Sequence, residues 1–159
     1  VYESLLDLRP RIDAGARSFA IEEAPGSERQ GTGAYYTPDG LIALVLDTTL
    51  DPLLDRAAAA DDPQAALLAL RICDPACGSG HFLIAAAHRI ARRLAAARTG
   101  DPDADAEAVQ QALRDAIGQC VHGVDVNPMA VELCKGSLWL EAMVPGRPLT
   151  FLDAQIRTG

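Results

Sequence analysis

The stretch Arg71-Ile72-Cys73-Asp74-Pro75-Ala76-Cys77-Gly78-Ser79-Gly80-His81-Phe82-Leu83 limits most strongly what this chain can fold into. Leu70 and Ile72 read as a short apolar strand ending at Asp74, followed by a tight turn of small residues and then an amphipathic helix. Gly78 and Gly80 supply backbone that tolerates positive φ and lets a ligand approach the main chain. The helix beyond opens with free N–H groups and a positive dipole end, a seat for a carboxylate or a row of polar oxygens. Strand, glycine turn and helix together predict a nucleotide-type crevice at the carboxyl end of a parallel sheet.

The flanking sequence is consistent with an α/β fold. Val1–Leu8 reads as the end of a helix stopped by Pro10, residues 11–22 as a small hairpin around Ala14-Gly15-Ala16, and Pro25–Gly33 as an exposed loop. Thr37 is positioned to cap a helix with Pro38 at its first position and Asp39 at its positive end. Leu41, Ile42, Val45 and Leu46 give that helix an apolar stripe. Asp51-Pro52 restarts it, Asp61-Asp62-Pro63 breaks it, and Gln64–Leu68 leads into the first strand.

Leu83, Ala87, Ile90 and Leu94 mark the buried face of the helix after the glycine turn, with Arg89, Arg92, Arg93 and Arg98 turned outward as a solvated basic face. Asp101-Pro102 is a capping signal for a helix lined by Val109, Leu113 and Ala116. Val121 opens a second strand. Asn127-Pro128 starts a further helix that carries Val131, Leu133, Cys134, Leu138 and Leu140, and Pro145–Pro148 ends it. Phe82 and Trp139 are expected in the core, and His122 is expected to be a strand residue without chemistry. Helices of about fifteen residues alternating with strands call for a parallel sheet flanked by helices.

Two further motifs narrow the ligand. Tyr35-Tyr36-Thr37-Pro38 lies upstream, and Gly123-Val124-Asp125-Val126-Asn127-Pro128 ends the second strand in an acid, suitably placed to accept bonds from ribose hydroxyls. The turn is neither G-x-G-x-x-G nor a P-loop. Asp-Pro-Ala-Cys-Gly-Ser-Gly resembles motif I of the amino-methyltransferases. With the other two motifs in order, the chain is similar to DNA adenine methyltransferases, most closely the large single-chain enzymes of type IIG restriction–modification and phage-defence systems.

The resemblance implies a Rossmann-like class I methyltransferase fold that binds S-adenosylmethionine, present here as its N-terminal portion. Residues 1–34 would be an N-terminal extension and residues 35–159 the first part of the methyltransferase domain. The backbone around Pro75, Ala76, Cys77, Gly78, Ser79 and Gly80 would lie against the methionine part of the cofactor. Asp74 would face its ammonium, and Tyr36, Thr37 and Pro38 would approach its carboxylate. Asp125 would take the ribose hydroxyls and Val126 the adenine face. Each has a plainer alternative: Asp74 and Thr37 as helix caps, Asp125 as a surface acid at a strand end.

The family's catalytic Asn/Asp-Pro-Pro-Tyr/Phe motif, which holds a flipped adenine, is not in these residues, since no Pro-Pro pair occurs. The catalytic loop and the DNA-recognition domain are therefore expected outside this stretch, which alone is expected to be inactive. The net charge of −8 fits that expectation, because a nucleic-acid clamp needs a basic face to displace counterions. DNA is the implied partner, through regions beyond these residues, with defence-system subunits as further partners. A methyltransferase of RNA or protein, and a non-catalytic cofactor-binding scaffold, are the alternatives. Cys73, Cys77, Cys120 and Cys134 form neither a C-x-x-C nor a secreted disulfide pattern, and their spacing with His81 does not suit a metal site. A reducing, cytoplasmic setting away from membranes is expected.

Overall fold

A computed structural model describes residues 8–23, 37–144 and 152–159. The chain divides into two compact units, Val1–Tyr36 and Thr37–Gly159. In the first, β1 (Leu8–Asp13) pairs antiparallel with β2 (Ser18–Glu23), with Ile12 opposite Phe19 and Pro10 opposite Ile21. The expected hairpin is present, and Asp13 makes its turn by accepting the amides of Gly15 and Ala16 at 2.9 Å. Leu8 and Pro10 lie within β1, as a two-stranded ribbon leaves edge positions that need no N–H donor. The remainder of the expected N-terminal helix and the loop at residues 25–33 lie outside the described residues.

The second unit opens with three helices, α1 (Asp39–Thr49), α2 (Asp51–Ala58) and α3 (Pro63–Leu68). β3 (Ile72–Asp74), α4 (His81–Thr99), α5 (Ala106–Cys120), β4 (Val121–Asp125) and α6 (Pro128–Glu141) follow. A single helical turn, α7 (Leu152–Gln155), leads directly into β5 (Ile156–Thr158). The strands form one parallel sheet in the order β3-β4-β5, with Asp74 paired to Gly123 and Asp125 to Thr158. Parallel pairing brings the carboxyl ends of β3 and β4, and so Asp74 and Asp125, to the same edge of the sheet. The result is a mixed α/β architecture with helices flanking a three-stranded parallel sheet.

The i, i+4 spacing of α4 puts Leu83, Ala87, Ile90 and Leu94 wholly out of solvent, as their periodicity predicts. They pack in one core with Leu46, Leu54 and Leu67 of the leading helices, Leu113 and Ile117 of α5, and Val121 and Ile156 of the sheet. Each large apolar side chain among them contributes about 1.5–3 kcal/mol by leaving water. Small residues at Ala86, Ala87, Ala91 and Ala95, all buried, suit a close approach of neighbouring helices to α4.

Several local expectations are corrected. β3 begins at Ile72, one residue beyond Arg71, so Leu70 packs half-buried before the strand. Pro38, with φ −57° and ψ 140°, is itself the N-cap of α1 in place of Thr37, and it makes no side-chain cap bond. The cap of α5 is Asp105, which accepts the Ala108 amide at 2.8 Å; Asp101 instead turns the loop by accepting the Asp103 amide. Asn127 does cap α6, accepting from Met129 at 2.9 Å. That helix ends at Glu141, ahead of Pro145–Pro148, which lie outside the described residues. Trp139 (45 % exposed) and Leu140 (57 %) stand on its outer face and not in the core. Phe82 is half-buried against the core.

Candidate functional site

The glycine turn closes over the end of the neighbouring strand. The amide of Cys77 donates to the carbonyl of Val124 at 2.9 Å, and the amide of Gly78 donates to Asp125 Oδ2 at 2.9 Å. Asp125 Oδ1 accepts the amide of Asn127 at 2.8 Å. One carboxylate therefore ties the turn after β3 to the turn after β4, and it keeps lone pairs for a further donor. Asp74 accepts the Ala76 amide at 3.0 Å, so it shapes the turn and does not cap α4.

Positive φ at Gly78 (53°) and Gly80 (87°) makes the turn possible. The two glycines differ in their surroundings. A Cβ on Gly78 would meet nothing within 4 Å, whereas one on Gly80 would come within 2.8 Å of Cys134 Sγ. Gly123, in β4, makes similar room for Cys77 and Leu83, both 3.0 Å from where its Cβ would stand. The turn is thus packed tightly underneath and open above.

Cys77, 5 % exposed, and Cys134, fully buried, face each other beneath the turn. Their mutual hydrogen bond and burial push the Cys134 thiol well above its ordinary value. Burial pushes Cys120 up to about 11, against the pull of the Arg71 charge. Cys73 is exposed. Among the described residues no cluster of His, Cys, Asp and Glu has the geometry to hold a metal ion.

Thr37 and Pro38 are exposed and immediately precede α1. A bond at the start of that helix leads to the turn region: Asp39, the first residue of α1, lies 2.7 Å from Nε2 of His81, the first residue of α4. Below this bridge lies a shallow cleft of about 260 Å³ lined by Asp39, Ile42, Ala43, Leu46, His81, Ala85 and Arg89. It runs beside α4 and does not include Asp125 or Val126. Val126 stands 69 % exposed beside Asp125. Tyr36, the remaining expected site residue, lies outside the described residues; Pro75 and Ala76 are exposed and Ser79 half-buried along the turn.

The expected solvated basic face on α4 is largely engaged by acids. Arg89 Nη1 lies 2.6 Å from both Asp47 and Asp51, Arg93 pairs with Asp55 at 2.6 Å, and Arg98 with Asp115 at 2.7 Å. Partial burial works against the Arg89 charge, and the two carboxylates outweigh it, holding the guanidinium above its ordinary value. Arg92 keeps to the expectation, exposed on the outer side of the helix. Motif reasoning does not mark His81, Asp39 or Cys134 as site residues. The i, i+4 run 81, 85, 89, 93 against the acids at 39, 47, 51 and 55 is the signal that finds the first two.

Comparison with known proteins comes down on one family. The family described as N-6 DNA Methylase matches residues 18–143. Adenine-specific methyltransferase PglX of Streptomyces coelicolor is 33% identical over 118 residues, which cover 74% of this chain and 8% of that protein. A Methanocaldococcus jannaschii protein named as a putative type II restriction enzyme and methyltransferase is 29% identical over 170 aligned residues, 85% of this chain and 14% of that protein. The chain thus spans a small part of the length of these relatives. No solved structure gives a significant match.

Proposed function

The chain belongs to the N-6 DNA Methylase family, and from that premise we propose that it forms the cofactor-binding part of an S-adenosylmethionine-dependent DNA adenine methyltransferase. The observation that carries this reading is the Gly78–Asp125 bond, which joins two motifs 47 residues apart at one sheet edge. In the Rossmann-like reading, this is the crevice at the carboxyl ends of parallel strands where a nucleoside sits. Restriction–modification or phage defence is the setting that the relatives' names support.

The residues suit the cofactor chemically. Asp125 has acceptor capacity left for ribose hydroxyls, and exposed Val126 offers an apolar surface to a purine. The open space above Gly78 admits a ligand to the backbone. The N-caps of α1 and α4, Pro38 and Gly80, make no side-chain cap bond, and both helices point their positive ends toward the region of Thr37 and the glycine turn, an end that suits an amino-acid carboxylate. Asp74 would attract the ammonium. When bound, S-adenosylmethionine supplies an electrophilic methyl group on a sulfonium centre.

This chain's residues hold the donor; the acceptor amine needs a group that these motifs do not contain. We place it on a strand bearing the Asn/Asp-Pro-Pro-Tyr/Phe motif elsewhere in the whole protein, with residues 35–159 as the first part of the domain and 1–34 as an extension. DNA, reached through other regions, is the substrate in this reading, and defence-system subunits are its further partners. Among the described residues no helix is long and apolar enough to cross a membrane.

Titration calorimetry on the full-length protein tests the reading. S-adenosylmethionine or its demethylated product should bind, and Asp125→Ala should weaken binding by about 1.5–3 kcal/mol through loss of charge-assisted bonds. Equal affinity in that variant removes Asp125 from the site.

A further inference from the structure

The two sequence motifs expected to hold the methionine end of the cofactor lead into separate helices, and a hydrogen bond joins the first residues of those helices. α1 is fixed to the core further along, where Ile42 and Leu46 are each 2 % exposed. The 260 Å³ cleft runs beside Ile42 and Leu46 of α1 and His81, Ala85 and Arg89 of α4, and the Asp39–His81 bond at 2.7 Å crosses it at the first residues of both helices. Thr37-Pro38 directly precedes Asp39, and Gly80 directly precedes His81. The bond thus connects the residue after one motif to the residue after the other.

We infer that His81 and Asp39 are positioning residues that clamp Thr37-Pro38 beside the glycine turn and so preorganise the site for the methyl donor. Neither side chain needs to touch the cofactor. The inference rests on the proposed cofactor reading for its consequence, although the clamp itself is a property of the unliganded chain. Three features support the assignment. The bond joins the first residues of α1 and α4 across the cleft that Ile42 and Leu46 also line. It is also the first rung of a row: His81, Arg89 and Arg93 on one face of α4 meet Asp39, Asp47 with Asp51, and Asp55. Finally, the bond sits at the first residue of α1, directly after Pro38, whose ring as N-cap offers no side-chain hydrogen bond.

Glutamine can place an amide nitrogen about where the histidine Nε2 stands, so His81→Gln keeps a donor to Asp39 whereas His81→Ala removes it. In the full-length protein without ligand, hydrogen exchange of the amides of Leu41–Ala43 should accelerate in His81→Ala and in Asp39→Ala. It should return toward the parent rate in His81→Gln. The double alanine variant should exchange more slowly than the sum of the two single effects, as the bond they share is lost only once.

Affinity for S-adenosylmethionine should fall about three- to fivefold in the alanine variants, the scale of a partly exposed bond, and recover in His81→Gln. In turnover assays the loss should appear in KM for the donor, with kcat held at saturating donor. Unchanged exchange in His81→Ala overturns the clamp whatever happens to affinity. Altered exchange with equal affinity in all variants confines the bond to helix stability and overturns its positioning role. A parent protein that shows the exchange pattern but binds no S-adenosylmethionine overturns the proposed cofactor and the positioning role with it, and leaves the helix contact standing.

Discussion

Gly80 shows how much a single residue contributes at this turn. Its φ of 87° is a conformation that side-chain-bearing residues seldom adopt, and a Cβ there would meet Cys134 Sγ at 2.8 Å. Gly80→Ala therefore combines two penalties: backbone strain of about 1 kcal/mol and an overpacking cost of about 1–3 kcal/mol. Urea denaturation should show that sum, and adding Cys134→Ala should recover the packing share but not the strain. Full recovery in the double variant would mean that the turn carries no strain. Gly78 behaves differently, because its missing Cβ leaves open space and not a neighbour's sulfur. Both glycines are legible in the sequence as turn residues. What cannot be read there is that one glycine faces open space and the other a buried thiol, as that division depends on Cys134, far downstream in α6.

At the scale of elements, the helices of the second unit are legible where a stripe of apolar residues has no competitor. Leu83, Ala87, Ile90 and Leu94 define α4 and are buried, and Asn127-Pro128 starts α6 as its chemistry predicts. Expectations fail where two acids compete for one role, as with Asp101 and Asp105 for the cap of α5, and where a helix face has two directions open to it, as with Trp139. The engagement of the α4 arginines shows in the sequence only as matching runs of bases and acids at helical spacing, and local spacing does not tell which base meets which acid 38 residues away. Their pairing makes a prediction. Arg89, only 21% exposed in its side chain, separates Asp47 from Asp51. Arg89→Met keeps most of the aliphatic stem but leaves those carboxylates facing each other without their shared cation. The variant should lose about 1–3 kcal/mol of stability in urea denaturation, while Arg92→Met, with an exposed side chain, should lose less than about 0.5 kcal/mol. Equal losses would show that stem packing and not charge is what Arg89 provides.

For the whole molecule, the proposed reading raises the question of where DNA would be gripped. The 159 residues carry a net charge of −8, and three of the four arginines on α4 are already engaged by aspartates. Binding duplex DNA releases counterions in proportion to the phosphates neutralised, so a surface whose cations are internally paired gains little from it. An enzyme that flips a base must also offset a few kcal/mol of lost stacking, which requires a strong grip somewhere. In the proposed reading, that grip belongs to parts of the whole protein other than this segment. Charge reversal of Arg56 on α2 and Arg92 on α4, both exposed, should consequently leave the affinity of the full-length protein for duplex DNA within about twofold. The slope of log affinity against log salt should also stay unchanged, since each phosphate contact removed would lower that slope by about 0.9. Mobility shifts across a salt series give both quantities. A slope that falls by about one or more in the charge-reversed protein would place DNA on this face of the helices, and the segment would then contribute to the substrate grip as well as to the donor site.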